Sequence, residues 1–227
     1  MPEIRRDRSV AIDGPVGSGK SSLSRRAARD FGFIHVDTGA IYRCIGLYVL
    51  RRGIEPTDSE AVSAALPDIA IDVRIANGEQ TLLLDGEDVT REIRQNDVSR
   101  YASDVSAHSA VRAFLLERQR ALARGRDVVM DGRDIGTVVL PDASLKLYLT
   151  AAPEDRARRR YEELRSLGQS VSYEETLRAL LLRDENDMNR PVAPLRPAED
   201  AIILDTTGNT WEQSLLLLEN IMREKLF

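Results

Sequence analysis

The glycine-rich run at residues 14–21 is the stretch of this sequence whose residue types and spacing point most directly to chemistry. It reads Gly-Pro-Val-Gly-Ser-Gly-Lys-Ser and matches the pattern Gly-x-x-x-x-Gly-Lys-[Ser/Thr]. In that pattern backbone N–H groups surround phosphate oxygens, the lysine reaches the β- and γ-phosphates, and the hydroxyl holds Mg²⁺. The alternative is a flexible Gly/Ser turn. The residues predicted to bind the phosphates of a nucleotide are Gly14, Pro15, Val16, Gly17, Ser18, Gly19, Lys20, Ser21 and Ser22.

An aspartate that ends an apolar stretch is the second candidate. Val128, Val129 and Met130 are followed directly by Asp131. In phosphate-loop proteins a carboxylate at the end of a buried strand organises Mg²⁺ or its water ligands. The alternative is that Asp131 only caps a helix or a turn. Taken with the glycine-rich run, the pattern predicts Ser21 and Asp131 as the metal-binding residues.

A third group consists of four arginines between positions 156 and 160, on a helix predicted to begin near Pro153. They could form a solvated face, paired with Glu162 and Glu163. They could also belong to a mobile lid that closes over the phosphates during transfer. The sequence leaves both interpretations open.

The elements that must position these residues alternate between short apolar strands and amphipathic helices, which predicts a mostly parallel sheet. Each candidate follows the end of a strand, where the polar residues of parallel strands meet. Strands are expected at 10–12, 33–36, 128–130, 145–149 and 201–204. Helices are expected at 22–31, from 38 to near 53, from 97, at 109–124, from 153, at 173–183 and from 210 to the C-terminus.

Residues 69–89 break this alternation. Apolar residues recur at every second position from Ile69 to Ile75, Asn77-Gly78 is a strong hairpin signal, and 81–84 and 87–89 read as two further strands. We expect an antiparallel module at residues 60–94, inserted into the α/β domain, which modifies the site and does not carry the central fold.

Several local predictions accompany these elements. Asp97 is expected to cap the helix that it begins, and Thr210 with Gln213 fits a capping box. Residues 184–197 are interpreted as a charged, proline-containing loop, and the leucines at 215–218 as core. Cys44 and His35 are interpreted as packed structural residues.

Composition narrows the class of protein. The 227 residues are 42% hydrophobic, with a formal net charge of −5, which argues against broad binding to nucleic acid or to an anionic membrane. Residues 1–6 lack the apolar run of a signal peptide, so a cytoplasmic location is expected. Lys20, Lys146 and Lys225 are the only lysines, and none lies in the Asn-Lys-x-Asp guanine reader of a GTPase.

Four stretches of the chain resemble the bacterial cytidylate (CMP) kinases, a branch of the nucleoside monophosphate kinases. They read Ile-Asp-Gly-Pro-Val-Gly-Ser-Gly-Lys at 12–20, Asp-Thr-Gly-Ala-Ile-Tyr-Arg at 37–43, Asp-Gly-Arg-Asp-Ile-Gly-Thr-Val-Val at 131–139 and Asp-Met-Asn-Arg at 187–190. The inserted module also fits, because these kinases carry an insertion in the monophosphate-binding region. The resemblance runs nearly end to end.

The resemblance implies an α/β P-loop NTPase fold, with a five-stranded parallel sheet flanked by helices, a small antiparallel insertion and a helical lid. It implies a core of residues 1–59, 95–150 and 190–227, with the inserted module at 60–94 and a lid at 151–189. It also implies Mg²⁺-assisted, direct in-line transfer of the γ-phosphoryl group of ATP to CMP or dCMP, by a protein that we expect to be a monomer.

Residue roles follow from the same motifs. The catalytic residues implied are Lys20, Arg133, Arg159 and Arg190. The residues implied to bind CMP are Thr38, Arg43, Ser103, Arg112, Arg133, Asp134, Arg183, Asp187 and Arg190. Among them Arg43, Arg133 and Arg190 would bind the acceptor phosphate, and Ser103, Arg112 and Asp134 would read cytosine. Arg183 and Asp187 would hold the ribose, and Arg159 would act from the lid. For each arginine a structural ion pair is the alternative.

Two other functions compete with this reading. A kinase with another small acceptor, such as UMP, AMP or shikimate, would share the phosphate loop. A non-enzymatic phosphate-loop binding module or nucleotide switch would bind ATP without turning it over.

Overall fold

A computed structural model describes residues 7–76, 78–166 and 168–227. In this part of the chain five strands form one parallel sheet, in the order β2-β6-β1-β7-β8, and three form a small antiparallel sheet. The strands are β1 Ser9–Asp13, β2 Ile34–Asp37, β3 Ile71–Ala76, β4 Glu79–Leu84, β5 Glu87–Asp88, β6 Val128–Gly132, β7 Leu145–Thr150 and β8 Ile202–Asp205. The helices are α1 Lys20–Phe31, α2 Thr38–Arg51, α3 Ser59–Ala65, α4 Asn96–Val105, α5 Ser109–Ala123, α6 Pro153–Ser166, α7 Tyr173–Asn189 and α8 Trp211–Leu226.

The register of the parallel sheet brings three strand ends together. Asp13 at the end of β1 lies opposite Gly132, and Asp37 at the end of β2 lies opposite Asp131. All three strands run in the same direction, so the segments that follow them leave the sheet at one edge. That edge is where the glycine-rich run, the start of α2 and residues 133–139 meet.

Two hydrophobic clusters cover the two faces of the sheet. One contains Ile12 and Val129 of the sheet with Leu23 of α1 and Leu218 of α8. The other contains side chains from α2, α4, α5, β6 and the inserted module. Because successive strand residues point to opposite faces, β6 contributes to both clusters. The predicted five-stranded α/β architecture is confirmed.

The inserted module folds as the antiparallel sheet β3-β4-β5, as the sequence predicted. Of the Asn77-Gly78 hairpin signal, Asn77 lies outside the described residues, and Gly78 has a φ of 77°. Leu82 and Leu84 of β4 pack in the same cluster as α2. The Gln80 side chain bonds both backbone groups of Asp37, accepting from its N–H at 2.8 Å and donating to its carbonyl at 3.3 Å. The module is thus attached to the edge strand β2, at the site.

The helix predicted at 173–183 is longer than expected, because α7 continues to Asn189. The charges at 184–187 suggested a loop. In the structure Asp184 and Asp187 are buried on the helix, and each meets an arginine from another element. Tertiary ion pairs therefore stabilise a segment whose polarity suggested exposure.

Smaller predictions had mixed outcomes. The Thr210–Gln213 capping box of α8 is confirmed, and Cys44 is buried as expected. Asp97 does not cap α4: Gln95 occupies the cap position and Asp97 lies in the first turn. The leucine run on α8 is only half core, because Leu216 and Leu217 are 58% and 42% exposed. Four consecutive residues cannot share one face of a helix.

Residues 1–6, whose sequence lacks the apolar run of a signal peptide, lie outside the described part of the chain. Within that part, no helix combines the length and apolarity needed to span a membrane.

Candidate active site

The glycine-rich run forms a tight loop between β1 and α1. Gly17 and Gly19 have φ angles of 73° and 87°, in the left-handed region that favours glycine. A side chain at Gly14 would place a Cβ 2.0 Å from the Leu149 carbonyl oxygen, so the first glycine is required for β1 to pass β7. The loop leads directly into the N-terminus of α1, where free backbone N–H groups favour an anion.

Lys20, the first residue of α1, extends back over this loop. Its ammonium group donates to the Pro15 carbonyl at 3.0 Å, and its side chain is buried. Burial and, to a smaller extent, the nearby charge of Arg133 lower the pKa of Lys20 to about 7. An anionic phosphate would offset both effects.

Ser21 and Asp131, the two predicted metal-binding residues, are in direct contact. The Ser21 hydroxyl donates to Asp131 Oδ2 at 2.5 Å, and the other carboxylate oxygen, Oδ1, lies 2.7 Å from His35 Nε2. Burial acts to raise the pKa of Asp131, but the hydrogen bonds from His35 and Ser21 and the charge of Lys20 outweigh burial and lower it. Asp131 is therefore an ionised carboxylate in the site. Thr38 donates to the Asp131 carbonyl at 2.8 Å.

These groups lie at one end of a cleft of about 610 Å³. The cleft joins the phosphate loop to an arginine-rich wall built from α2, α5, α7 and the segment after β6. The sequence-predicted residues that line it are Val16, Gly17, Ser18, Gly19, Lys20, Ser21, Ser22, Thr38, Arg43, Arg112, Asp131, Arg133, Asp134, Arg159, Arg183, Asp187 and Arg190.

Three predicted residues are not among the lining residues of the cleft. Gly14 and Pro15 lie beneath the loop, where Gly14 gives clearance and Pro15 accepts the hydrogen bond from Lys20. The lining residues from α4 and its C-cap are Ser99, Ala102 and Ser106, and Ser103 is not among them. Ser103 follows Ser99 by four residues and so lies on the same side of the helix, and its role stays a prediction.

The far wall of the cleft is a network of buried charges. Arg133 donates to Asp187 at 2.8 Å, and Arg112 donates to Asp134. Arg190 lies between the two aspartates, 3.6 Å from Asp134 and 3.7 Å from Asp187. Burial tends to raise the pKa of Asp187, but the Arg133 and Arg183 charges outweigh it and lower that pKa. The wall therefore presents ionised side chains that can bind a polar, anionic molecule.

Arg183 adds a buried positive charge to this wall of the cleft. Its Nε is buried without a hydrogen-bond partner among the described residues, and burial lowers its pKa to about 10. Leaving such a donor unpaired costs about 1–3 kcal/mol. A bound anion or hydroxyl would satisfy it.

The four arginines of α6 make different contacts, so neither a solvated face nor a lid describes all of them. Arg156 is buried and donates to Asp184 at 2.5 Å and to the Val16 carbonyl at 3.0 Å, which ties α6 and α7 to the phosphate loop. Arg159 lines the cleft and donates to Thr206 O at 2.8 Å. Arg158 is mostly exposed, and Arg160 lines the cleft while pairing with Glu163 at 2.8 Å.

Sequence reasoning missed Asp13. Its carboxylate accepts the backbone N–H groups of Ile135 and Gly136 at 2.7 and 2.8 Å, and so holds the π-helical turn Ile135–Val139 against the end of β1. Burial raises the pKa of Asp13 to about 7, although these two donors oppose the rise. An aspartate ending an apolar strand was the available signal, the same one that identified Asp131.

The sequence motifs assigned no role to several other lining residues. They come from the inserted module, from helix faces and from the loop before α8, and their approach depends on tertiary packing. They include Tyr42, Arg94, Ser99, Ser106, Arg160 and Trp211.

Comparison with known proteins agrees with this geometry. The family description "Cytidylate kinase" matches residues 10–224. The chain belongs to the cytidylate kinase family. A cytidylate kinase from Caldicellulosiruptor saccharolyticus is 52% identical over 207 residues, covering 91% of this chain and 92% of that protein. One from Geobacter sulfurreducens is 45% identical over 221 residues, covering 97% and 95%.

Among solved structures, an uncharacterised protein from Eubacterium ventriosum aligns with a TM-score of 0.53 at 11% identity, covering 96% of this chain and 99% of the other. That likeness concerns the fold alone. The resemblance to cytidylate kinases drawn from four motifs is confirmed by the family match over nearly the whole chain, and with it the phosphotransferase class.

Proposed function

We propose that this cytidylate kinase family member transfers the γ-phosphoryl group of ATP directly to CMP or dCMP, with Mg²⁺, giving CDP or dCDP and ADP. The observation that carries the proposal is the single cleft that joins the glycine-rich phosphate loop to the wall of paired arginines and aspartates. Two polyanions must meet in line for such a transfer, and positioning with charge neutralisation supplies most of the catalysis.

On the donor side, the loop and Lys20 would hold the ATP phosphates. The left-handed glycines allow the backbone to turn its N–H groups inward, and the ammonium of Lys20 would exchange the Pro15 carbonyl for phosphate oxygens. Arg159, which donates a hydrogen bond to the Thr206 carbonyl, would add positive charge from the proposed lid.

The residues at the loop fit a divalent cation. Hydroxyl and carboxylate oxygens are the ligands that Mg²⁺ prefers, and Ser21 and the ionised Asp131 present one of each. Within residues 7–76, 78–166 and 168–227 no three His, Cys, Asp or Glu side chains form a metal cluster, which suits an ion held mainly by phosphates. When bound, the ion would neutralise charge on the β- and γ-phosphates.

On the acceptor side, Arg112 and Asp134 form a donor–acceptor pair that suits cytosine. The exocyclic amine of cytosine donates a hydrogen bond, which a carboxylate accepts, and its ring acceptors suit a guanidinium. Uracil reverses the polarity at two of these positions. It would leave buried charged groups of the site unpaired, which disfavours it strongly.

The phosphate and sugar of the acceptor would contact the remaining arginines. Arg43, Arg133 and Arg190 would bind the phosphate, and Arg183 with Asp187 would hold the ribose. Thr38 lies beside them at the start of α2. Each of these side chains lines the cleft, and the unpaired Nε of Arg183 is a donor that such a ligand would satisfy.

At the level of the molecule, we propose a core of residues 1–59, 95–150 and 190–227, an acceptor-side module at 60–94 and a lid at 151–189. Closure of the lid would exclude water and so suppress ATP hydrolysis. The net charge of −5 suits small nucleotide substrates better than nucleic acid or an anionic membrane. We place the protein in the cytoplasm, where nucleotides of this kind are phosphorylated, as a monomer.

The test is ADP production from Mg·ATP with CMP, dCMP, UMP, AMP and shikimate offered separately to the purified protein. Turnover confined largely to CMP and dCMP is the expected result. Turnover only with another acceptor would refute the acceptor assignments, and none with any acceptor would favour a nucleotide switch. Sedimentation of the same preparation tests the monomer.

A further inference from the structure

His35 lies in the interior of β2, three residues before Thr38, and is 97% buried. The register pairs His35 with Val129 and Asp37 with Asp131 in the neighbouring strand. Side chains alternate along a strand, so His35, Val129 and Asp131 all project to the face covered by α1. An apolar residue would fill this position at lower cost, because a buried imidazole must have a hydrogen-bond partner.

That partner is the carboxylate of Asp131, whose Oδ1 lies 2.7 Å from Nε2 of His35. Asp131 is ionised and has only acceptors, so Nε2 carries the proton and donates it. The opposite oxygen, Oδ2, receives the hydroxyl of Ser21 at 2.5 Å. One donor on each oxygen sets both the position and the rotation of the carboxylate.

We propose that His35 is a positioning residue for the donor-side metal: it holds Asp131 in the orientation that, together with Ser21, receives the divalent cation of the bound nucleotide. The inference rests on the proposed function, because it takes Ser21 and Asp131 as the residues that meet the cation. His35 does not itself touch substrate or metal.

The consequence of losing this contact follows from the burial of Asp131. Without His35, Oδ1 would be a buried charged oxygen lacking its donor, and the carboxylate would no longer be held in one orientation. The Ser21 hydroxyl would then lose its partner as well. Residues that orient metal ligands in this way typically contribute about 10- to 100-fold to metal affinity.

The test compares His35→Leu with His35→Gln, whose side-chain amide retains an N–H donor. The dissociation constant of Mn·ATP is measured by water-proton relaxation, and that of ATP in EDTA by calorimetry. We expect His35→Leu to weaken Mn·ATP binding about tenfold or more with ATP binding in EDTA unchanged, and His35→Gln to restore most of the loss.

His108 provides a matched control, since it is the other histidine of the chain and its Nε2 bonds the Pro56 carbonyl at 2.7 Å. His108→Leu is expected to change neither constant. If His35→Leu does not fold, His35→Phe keeps the ring shape without the donor and carries the same expectation.

Unchanged Mn·ATP affinity in the leucine variant would overturn the proposal. So would an equal loss with and without metal, because His35 would then support only the fold. Wild-type protein that binds Mn·ATP but phosphorylates no CMP would refute the proposed function, while the metal comparison would still decide the role of His35.

Discussion

Lys20 and Arg133 are basic side chains at positions where burial disfavours the charged form. Arg133 pairs with Asp187 at 2.8 Å, and the Lys20 ammonium donates to the uncharged Pro15 carbonyl at 3.0 Å. Lys20 responds with a pKa of about 7, and Arg133 remains charged because Asp187 outweighs the burial that acts to lower its pKa. A bound polyanion would stabilise the charged form of both side chains.

The first prediction concerns proton uptake by Lys20. Because its pKa in the free protein is about 7, the amine is mostly neutral at about pH 8. Phosphates restore the charged form, so ATP binding should take up close to one proton at about pH 8 and almost none at about pH 6. Calorimetry in two buffers of different ionisation enthalpy measures the uptake.

Lys20→Met serves as the control and should bind ATP weakly, without the uptake. An uptake at about pH 8 that persists in this variant would assign the proton to another group and contradict the prediction.

The second prediction concerns base selectivity at Asp134. Asp134→Ala removes the acceptor of the buried Arg112 guanidinium. The preference for CMP over UMP in kcat/KM should fall about 10- to 100-fold, while the KM for ATP changes by less than about twofold. Asp200→Ala is the matched control, because that carboxylate is exposed and pairs with Lys146. An unchanged CMP/UMP ratio would refute the role of Asp134 in reading the base.

At the scale of the elements, α6 and α7 are joined to the phosphate loop through one buried ion pair. Arg156 of α6 donates to Asp184 of α7 and to the Val16 carbonyl, and the Val16 N–H lies 3.4 Å from Asp184. This contact also explains why α7 continues past Arg183. Residues 184–189, which the sequence assigned to a charged loop, are the part of α7 that supports the phosphate loop.

The third prediction tests that contact. Asp184→Ala leaves a buried guanidinium unpaired and should lower the free energy of unfolding by about 3–5 kcal/mol, measured by urea denaturation. The KM for ATP should rise, because Val16 loses its support. Glu185, the exposed neighbour of Asp184, provides the control. Glu185→Ala should change the free energy of unfolding by less than about 0.5 kcal/mol. Equal stabilities for the two variants would contradict the assignment.

At the scale of the whole molecule, the inserted module shares its core with the parallel-sheet domain. Leu82 and Leu84 of β4 pack in one cluster with Ile45 of α2 and Met130 of β6, and Gln80 bonds the backbone of Asp37. The module should therefore unfold together with the rest of the protein, although the sequence marks it as an insertion.

The fourth prediction follows from that shared core. Leu82→Ala should lower the free energy of unfolding by about 2–5 kcal/mol, as for a central core position, with a single calorimetric transition in the variant and in the wild type. Asp72→Ala on the exposed face of β3 is the control and should have little effect. A separate early transition for the module would show that it folds independently.

The sequence by itself determined the phosphate loop, the order of the elements and the parallel sheet, because these follow from local patterns. Gly-x-x-x-x-Gly-Lys-Ser requires a strand before it and a helix after it, and short apolar runs ending in aspartate locate the strand ends. The motifs also indicated the family, which the match over residues 10–224 confirms.

Only the tertiary structure decided which polar side chains are buried together. The role of Asp13 under the π-helical turn, the contact of His35 with Asp131 and the length of α7 all depend on partners distant in sequence. Local patterns record the period and polarity of one segment. The free energy of a buried charge is instead set by the groups that other segments place against it, and these are fixed only when the chain has folded.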